Sequence, residues 1–137
     1  MAPPRIAVVG WGQTPSVRLS DRNEVQMLIE AIDSAVGTAG VTRADMGFTC
    51  SGSCDYLTGG PFAFVTNLEA SGAWPPISES HVEMDGAWAL YEAWVRLHHG
   101  DIDLALVYSS GKSSPTDPAN LYPQQLDPYY LQPLGVD

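Results

Sequence analysis

The sequence predicts an α/β fold: a mixed, mostly parallel sheet with one buried helix, in the order β-α-β-α-β-α-β, followed by an irregular C-terminal tail. Three observations carry this. Short apolar runs, Ile6 to Val9 and Leu104 to Tyr108, are bounded by turn residues and read as buried strands. An amphipathic run over residues 25–39 has the period of a helix lying on a sheet. An extended segment near residue 80 turns into a strongly apolar helix with almost no linker. At 137 residues, with 45% hydrophobic and 16% charged side chains, the chain suits one globular core.

The elements follow in order. Residues 5–9 are predicted as a strand closed by Gly10, Gly12 and Pro15. Ser20, Asp21 and Asn23 offer helix caps before Val25, Leu28, Ile32, Ala35, Val36 and Ala39, which recur at three- and four-residue spacing until Gly40 supplies a stop. Phe48 to Cys50 reads as the second strand, running into a Gly- and Ser-rich loop up to Pro61, after which Phe62 to Ala70 is helical and Ser71-Gly72 ends it. Residues 77–82 form the third extended segment. In the helix over 85–99, Ala87, Trp88, Leu90, Tyr91, Trp94, Val95 and Leu97 surround most of the circumference, which predicts burial between layers. Leu104 to Tyr108 is expected in the middle of the sheet. The α/β domain therefore spans residues 1–110. Residues 111–137 form a tail whose prolines at 115, 118, 123, 128 and 133 exclude regular structure.

A net charge of −10 with only six unclustered basic residues argues against nucleic acid or an anionic membrane surface as the main partner. The N-terminal apolar run is too short for a signal-peptide core, and no stretch has membrane-spanning length. A cytoplasmic protein without membrane insertion is the expectation. Cys50 and Cys54 are too few for a disulfide scaffold or a four-ligand zinc site, so reduced thiols are expected.

Three motif-like stretches fail on spacing. Gly10-Trp11-Gly12 begins like a dinucleotide fingerprint, but Pro15 stands at its sixth position and the helix starts too late. Gly111-Lys112-Ser113 ends like a P-loop, yet its first glycine position is Leu106 and Pro115 interrupts the following helix. His81-x-Glu83 has the spacing of a zinc-deaminase ligand and proton shuttle, but both cysteines lie upstream. His81, Glu83 and Asp85 offer only a thin three-ligand set, and no metal is assigned. His98 and His99 suit the negative end of a helix dipole without further function.

Four separated segments carry a resemblance. They are Ile6 to Pro15 (Ile-Ala-Val-Val-Gly-Trp-Gly-Gln-Thr-Pro), Ser51 to Tyr56 (Ser-Gly-Ser-Cys-Asp-Tyr), Ser80 to Leu90 (Ser-His-Val-Glu-Met-Asp-Gly-Ala-Trp-Ala-Leu) and Gln125 to Tyr130 (Gln-Leu-Asp-Pro-Tyr-Tyr). Together they resemble the thiolase superfamily, and most closely its lipid-transfer branch: sterol carrier protein x type thiolases and the thiolase-like proteins of steroid side-chain degradation. The resemblance covers the amino-terminal part of the family's length. It implies a thiolase-like N-terminal half, with the tail leading towards the remainder of the fold, and a dimer or a heteromer with another thiolase-like or OB-fold subunit. It also implies acyl-CoA substrates of steroid or branched lipid acids, with coenzyme A as part of the substrate and no separate cofactor.

In ordinary thiolases the turn before the buried helix reads Cys-Ala-Ser-Gly and the Cys is acylated. Matching that glycine to Gly86 sets Glu83 at the nucleophile's position. A carboxylate gives no persistent thioester-like acyl-enzyme, which turns the expectation from acetyl transfer to retro-aldol cleavage of a β-hydroxyacyl-CoA, a reaction needing a general base. Glu83 and His81 are the expected catalytic groups, with Ser51, Gly52, Asp55 and Gly86 at the substrate pocket. Two alternatives stay open: Glu83 caps the helix or ion-pairs across a subunit interface in a non-catalytic subunit, or the chain is an inactive truncated fragment. Absence of the family's second half would leave Trp88 and Trp94 exposed on the central helix.

Overall fold

The computed structural model describes residues 5–58, 63–72, 78–112, 129–130 and 132–135. Helix α1 (Glu24–Ala39) starts at Asn23, whose side-chain oxygen accepts from the Gln26 amide at 2.8 Å while the Gln26 side chain accepts from the Asn23 amide at 3.0 Å. This reciprocal box satisfies two of the donors that every helix start leaves unpaired. The helix ends at Gly40, whose φ of 69° is a left-handed conformation that a glycine adopts without Cβ strain. A short 3-10 turn, Arg43–Asp45, then leads into β1 (Phe48–Ser53).

A helical turn, α2 (Asp55–Thr58), and α3 (Ala63–Ser71) follow, then β2 (Glu79–Glu83), α4 (Gly86–His99) and β3 (Ala105–Ser109). The three strands are parallel in the order β2-β1-β3, with Ser51 opposite His81 on one side and opposite Tyr108 on the other. Helices α1 and α3 pack against one face through Leu28, Ile32, Ala70, Leu106 and Tyr108. On the other face α4 packs through Ala89 and Ala93 onto Phe48 and Cys50. Small residues on α4 let helix and sheet approach closely. The Arg96 guanidinium lies 4.3 Å from the centre of the Phe48 ring, closing the lower end of that layer.

Five expectations are corrected. Residues 5–9 form no strand and pair with none of the three described strands. The sheet's described strands are all parallel rather than mixed, and β3 is an edge strand, not a central one. The loop after β1 contains the helical turn α2, which its Gly and Ser content hid. Helix α4 is not buried all round: Ala89 and Ala93 are its buried residues, while Trp88, Leu90, Tyr91 and Trp94 are exposed.

The tail from residue 113 to 128, which holds four of the five prolines and most of the Gln125 to Tyr130 segment, lies outside the described residues, as do Pro61, Pro75 and Pro76. Gln132–Leu134 form a short 3-10 turn.

Candidate functional site

All three strands run in one direction, so Ser53, Glu83 and Ser109 stand together at their carboxyl ends. In open α/β sheets this edge is where ligand crevices form. Two features shape it here. Gly52 lies so close to the backbone of Asp85 that a Cβ has no room, which brings the end of β1 against the start of α4. Asp85 is the N-cap of α4, its carboxylate accepting from the amides of Ala87 at 2.9 Å and Trp88 at 3.2 Å. Glu83 is therefore not the cap of this helix. Gly86 packs against the Ser109 side chain.

Glu83 ends β2 and turns to the other helix start. Its Oε1 accepts from the Asp55 amide at 2.7 Å, and its Oε2 lies 3.2 Å from His81 Nε2. His81 Nδ1 is in turn 2.9 Å from Ser51 Oγ. With the ring proton on Nε2 the imidazole donates to Glu83, and Nδ1 accepts from the Ser51 hydroxyl. The Phe64 ring stacks on the imidazole at 4.4 Å between centres, with 17° between planes. The imidazole is thus held at its face and at both nitrogens. Exposure rises along this hydrogen-bonded series: Ser51 is 1% exposed, the His81 side chain 15% and the Glu83 side chain 45%.

The geometry joins Glu83, His81, Ser51 and the Asp55 backbone into one connected group. Gly52 and Gly86 sit beside it as packing positions where main chain approaches α4 or β3. No group of three His, Cys, Asp or Glu side chains among the described residues is arranged to hold a metal ion. Asp85 spends its carboxylate on the α4 cap rather than joining His81 and Glu83.

Beneath the relay lies a polar layer that motif reading missed. Thr49, Ser51 and Ser53 are all buried on β1, as are Asn67 and Ser71 on α3 and Tyr108 on β3. Asn67 Nδ2 donates to Ser110 Oγ at 2.7 Å, tying α3 to the end of β3. Burial pushes the Tyr108 phenol above its ordinary pKa; the Ser71 and Ser51 hydroxyls nearby oppose the shift, though the phenol oxygen makes no hydrogen bond among the described residues. The signal was present in Phe48-Thr49-Cys50-Ser51-Gly52-Ser53, where hydroxyls fall on every second residue and so share one face of a strand.

The two thiols differ. Cys50 is wholly buried against α4, and desolvation, with a smaller contribution from Glu92 opposed by Arg96, raises its pKa to about 11. Cys54 is partly exposed at the site's edge. Both are free. No helix among the described residues is long and apolar enough to cross a membrane.

No protein-family model and no curated protein matches the chain.

Proposed function

We propose that the chain is the amino-terminal portion of a thiolase-like protein of the lipid-transfer type, acting on acyl-CoA thioesters of steroid or branched lipid acids by retro-aldol cleavage. Glu83 is the general base. The observation supporting this is a carboxylate fixed by two donors yet nearly half exposed, at the ligand-binding edge of a parallel sheet.

Glu83 takes the proton of the substrate's β-hydroxyl as the Cα–Cβ bond breaks. The oxygen's electron pair closes a ketone, and the bond's electrons pass to the thioester as an enolate. Returning the proton to the α-carbon completes the shorter acyl thioester and restores the carboxylate, so no cofactor or oxidant enters the balance. His81 is a positioning residue: locked by Ser51 and Phe64, it keeps Glu83 in one orientation.

Homodimerisation, or pairing with another thiolase-like or OB-fold subunit, fits the exposed aromatic face of α4 and would supply the walls of the acyl pocket.

A second reading has its own support. Both Glu83 oxygens already bond within the chain, so the residue also serves as a clamp between β2 and α2, as a non-catalytic subunit would retain it. Glu83→Gln separates the readings when the protein, with its partner, is assayed on a β-hydroxyacyl-CoA whose β-carbon is tertiary. A base loses about 10²-fold or more in turnover with little change in melting temperature. Retained turnover with a lowered melting temperature refutes catalysis and leaves the clamp.

A further inference from the structure

The side of β3 that faces away from β1 is unpaired among the described residues. Leu104 O accepts from the Gly47 amide and the Ser110 amide donates to Gly52 O, so the even-numbered backbone groups point to β1. In-plane direction alternates along a strand, which turns the amides and carbonyls of Ala105, Val107 and Ser109 outward. An edge of this kind is a template for another strand.

Across from that edge runs the segment from Arg5 to Gly12, which lines the same groove as β3. It lies on α1, with Gly10 against Ala35 and Ala39 and Gly12 against Ala31 and Ser34, contacts so close that neither glycine has room for a Cβ. The segment makes no backbone hydrogen bond with another described residue. Between it and β3 is a groove of about 1040 Å³, walled by α1 residues such as Ala31 and Ile32 on one side and by α4 residues such as Leu90 and Tyr91 on the other.

A single strand suits the dimensions of this groove. One strand occupies about 4.8 Å of sheet width and about 10 Å of thickness, and five residues extend about 17 Å, enclosing roughly 800 Å³. Both walls are apolar helix faces, as for any strand sandwiched inside an α/β protein. Charge sets one end: Asp101 and Asp103 are exposed beside the start of β3, and neither has an ion-pair partner among the described residues. The chain as a whole carries −10.

We propose that this groove is a strand acceptor. It takes one apolar β-strand from a partner polypeptide, with a Lys or Arg at the end beside Asp101 and Asp103, and that strand pairs with Ala105, Val107 and Ser109 and fills the gap to residues 5–9. The proposal does not depend on any catalytic role for Glu83.

Residue-resolved amide exchange tests it on the whole chain, with a capped heptapeptide of alternating Val and Ile flanked by lysines as the probe. Without peptide, the amides of Leu106 and Tyr108 are protected and those of Ala105, Val107 and Ser109 exchange fast. Saturating peptide is expected to slow these three by about tenfold or more and to leave Leu106 and Tyr108 unchanged. The same peptide with a central proline is expected to give no protection. Equal protection by both peptides, no protection by either, or protection of the three amides before any peptide is added each overturns the proposal, the last because the chain then fills its own groove.

Discussion

Glu83, His81 and Ser51 illustrate how burial divides labour within one hydrogen-bonded series. Ser51 has the chemistry of a nucleophile but is sealed under the sheet's helices, whereas the carboxylate at the other end reaches the surface. Replacing His81 by Phe keeps the stack on Phe64 but removes both ring nitrogens. Under the base reading it is expected to lower turnover by about tenfold through a misoriented Glu83, checked by comparing kcat with KM. The cysteines respond to the same contrast. Iodoacetamide is expected to label Cys54 in the folded protein and to spare Cys50 until the chain unfolds, as peptide mapping after brief labelling would report. The pH dependence of stability has a definite sign. Cys50 keeps its proton up to about 11 when folded, against 9.0 as its ordinary value. Between these values the unfolded chain binds fewer protons, so stability falls as pH rises from 9.0 to about 11. Chemical denaturation across that range should show the decline, and Cys50→Ala should reduce its slope.

At the scale of elements, close approach between main chains places the site. β1 meets the start of α4 at Gly52, where a methyl group would strike the backbone of Asp85. Gly52→Ala is accordingly expected to cost about 1–3 kcal/mol, with denaturant midpoint as the measurement. Asp85→Ala removes the acceptor for two α4 amides and should cost about 1 kcal/mol, lowering the melting temperature by about 4 °C. The first helix was readable: Asn23, one of the three caps offered, starts it and Gly40 stops it, while the pairing of Asn23 with Gln26 came from the structure. The role of Glu83 was not readable in the same way. Its nearest sequence neighbour among helix starts is α4, but its carboxylate meets α2, 28 residues earlier in the chain. Only the parallel register of β1 and β2 makes those two positions adjacent.

Across the whole molecule the dominant feature is apolar surface without cover. On α4, Trp88 meets Tyr91 edge-on and Tyr91 stacks on Trp94, which stacks on His98, so the exposed aromatics form a continuous ridge along the helix. A ridge of this size is expected to make the isolated chain associate or dissolve poorly. Sedimentation velocity over a concentration series should show association, and Trp88→Glu combined with Trp94→Glu should reduce it. A monodisperse monomer with a cooperative thermal transition would contradict the expectation.

Periodicity and capping chemistry were enough to locate α1, α3, α4, the strand segments β1, β2 and β3 and the βα alternation, because these depend on residues within one or two turns of each other. Whether an extended run becomes a strand depends on a neighbour to pair with, which is why residues 5–9 read as a strand and are not one. The same holds for α4, whose all-round apolar pattern reports what the helix is suited to touch, while its exposure reports what lies beside it. The site obeys this division: its residue types were visible along the chain, but the bonds joining Ser51, His81, Glu83 and the Asp55 amide come from strand register, a long-range property that no local pattern encodes.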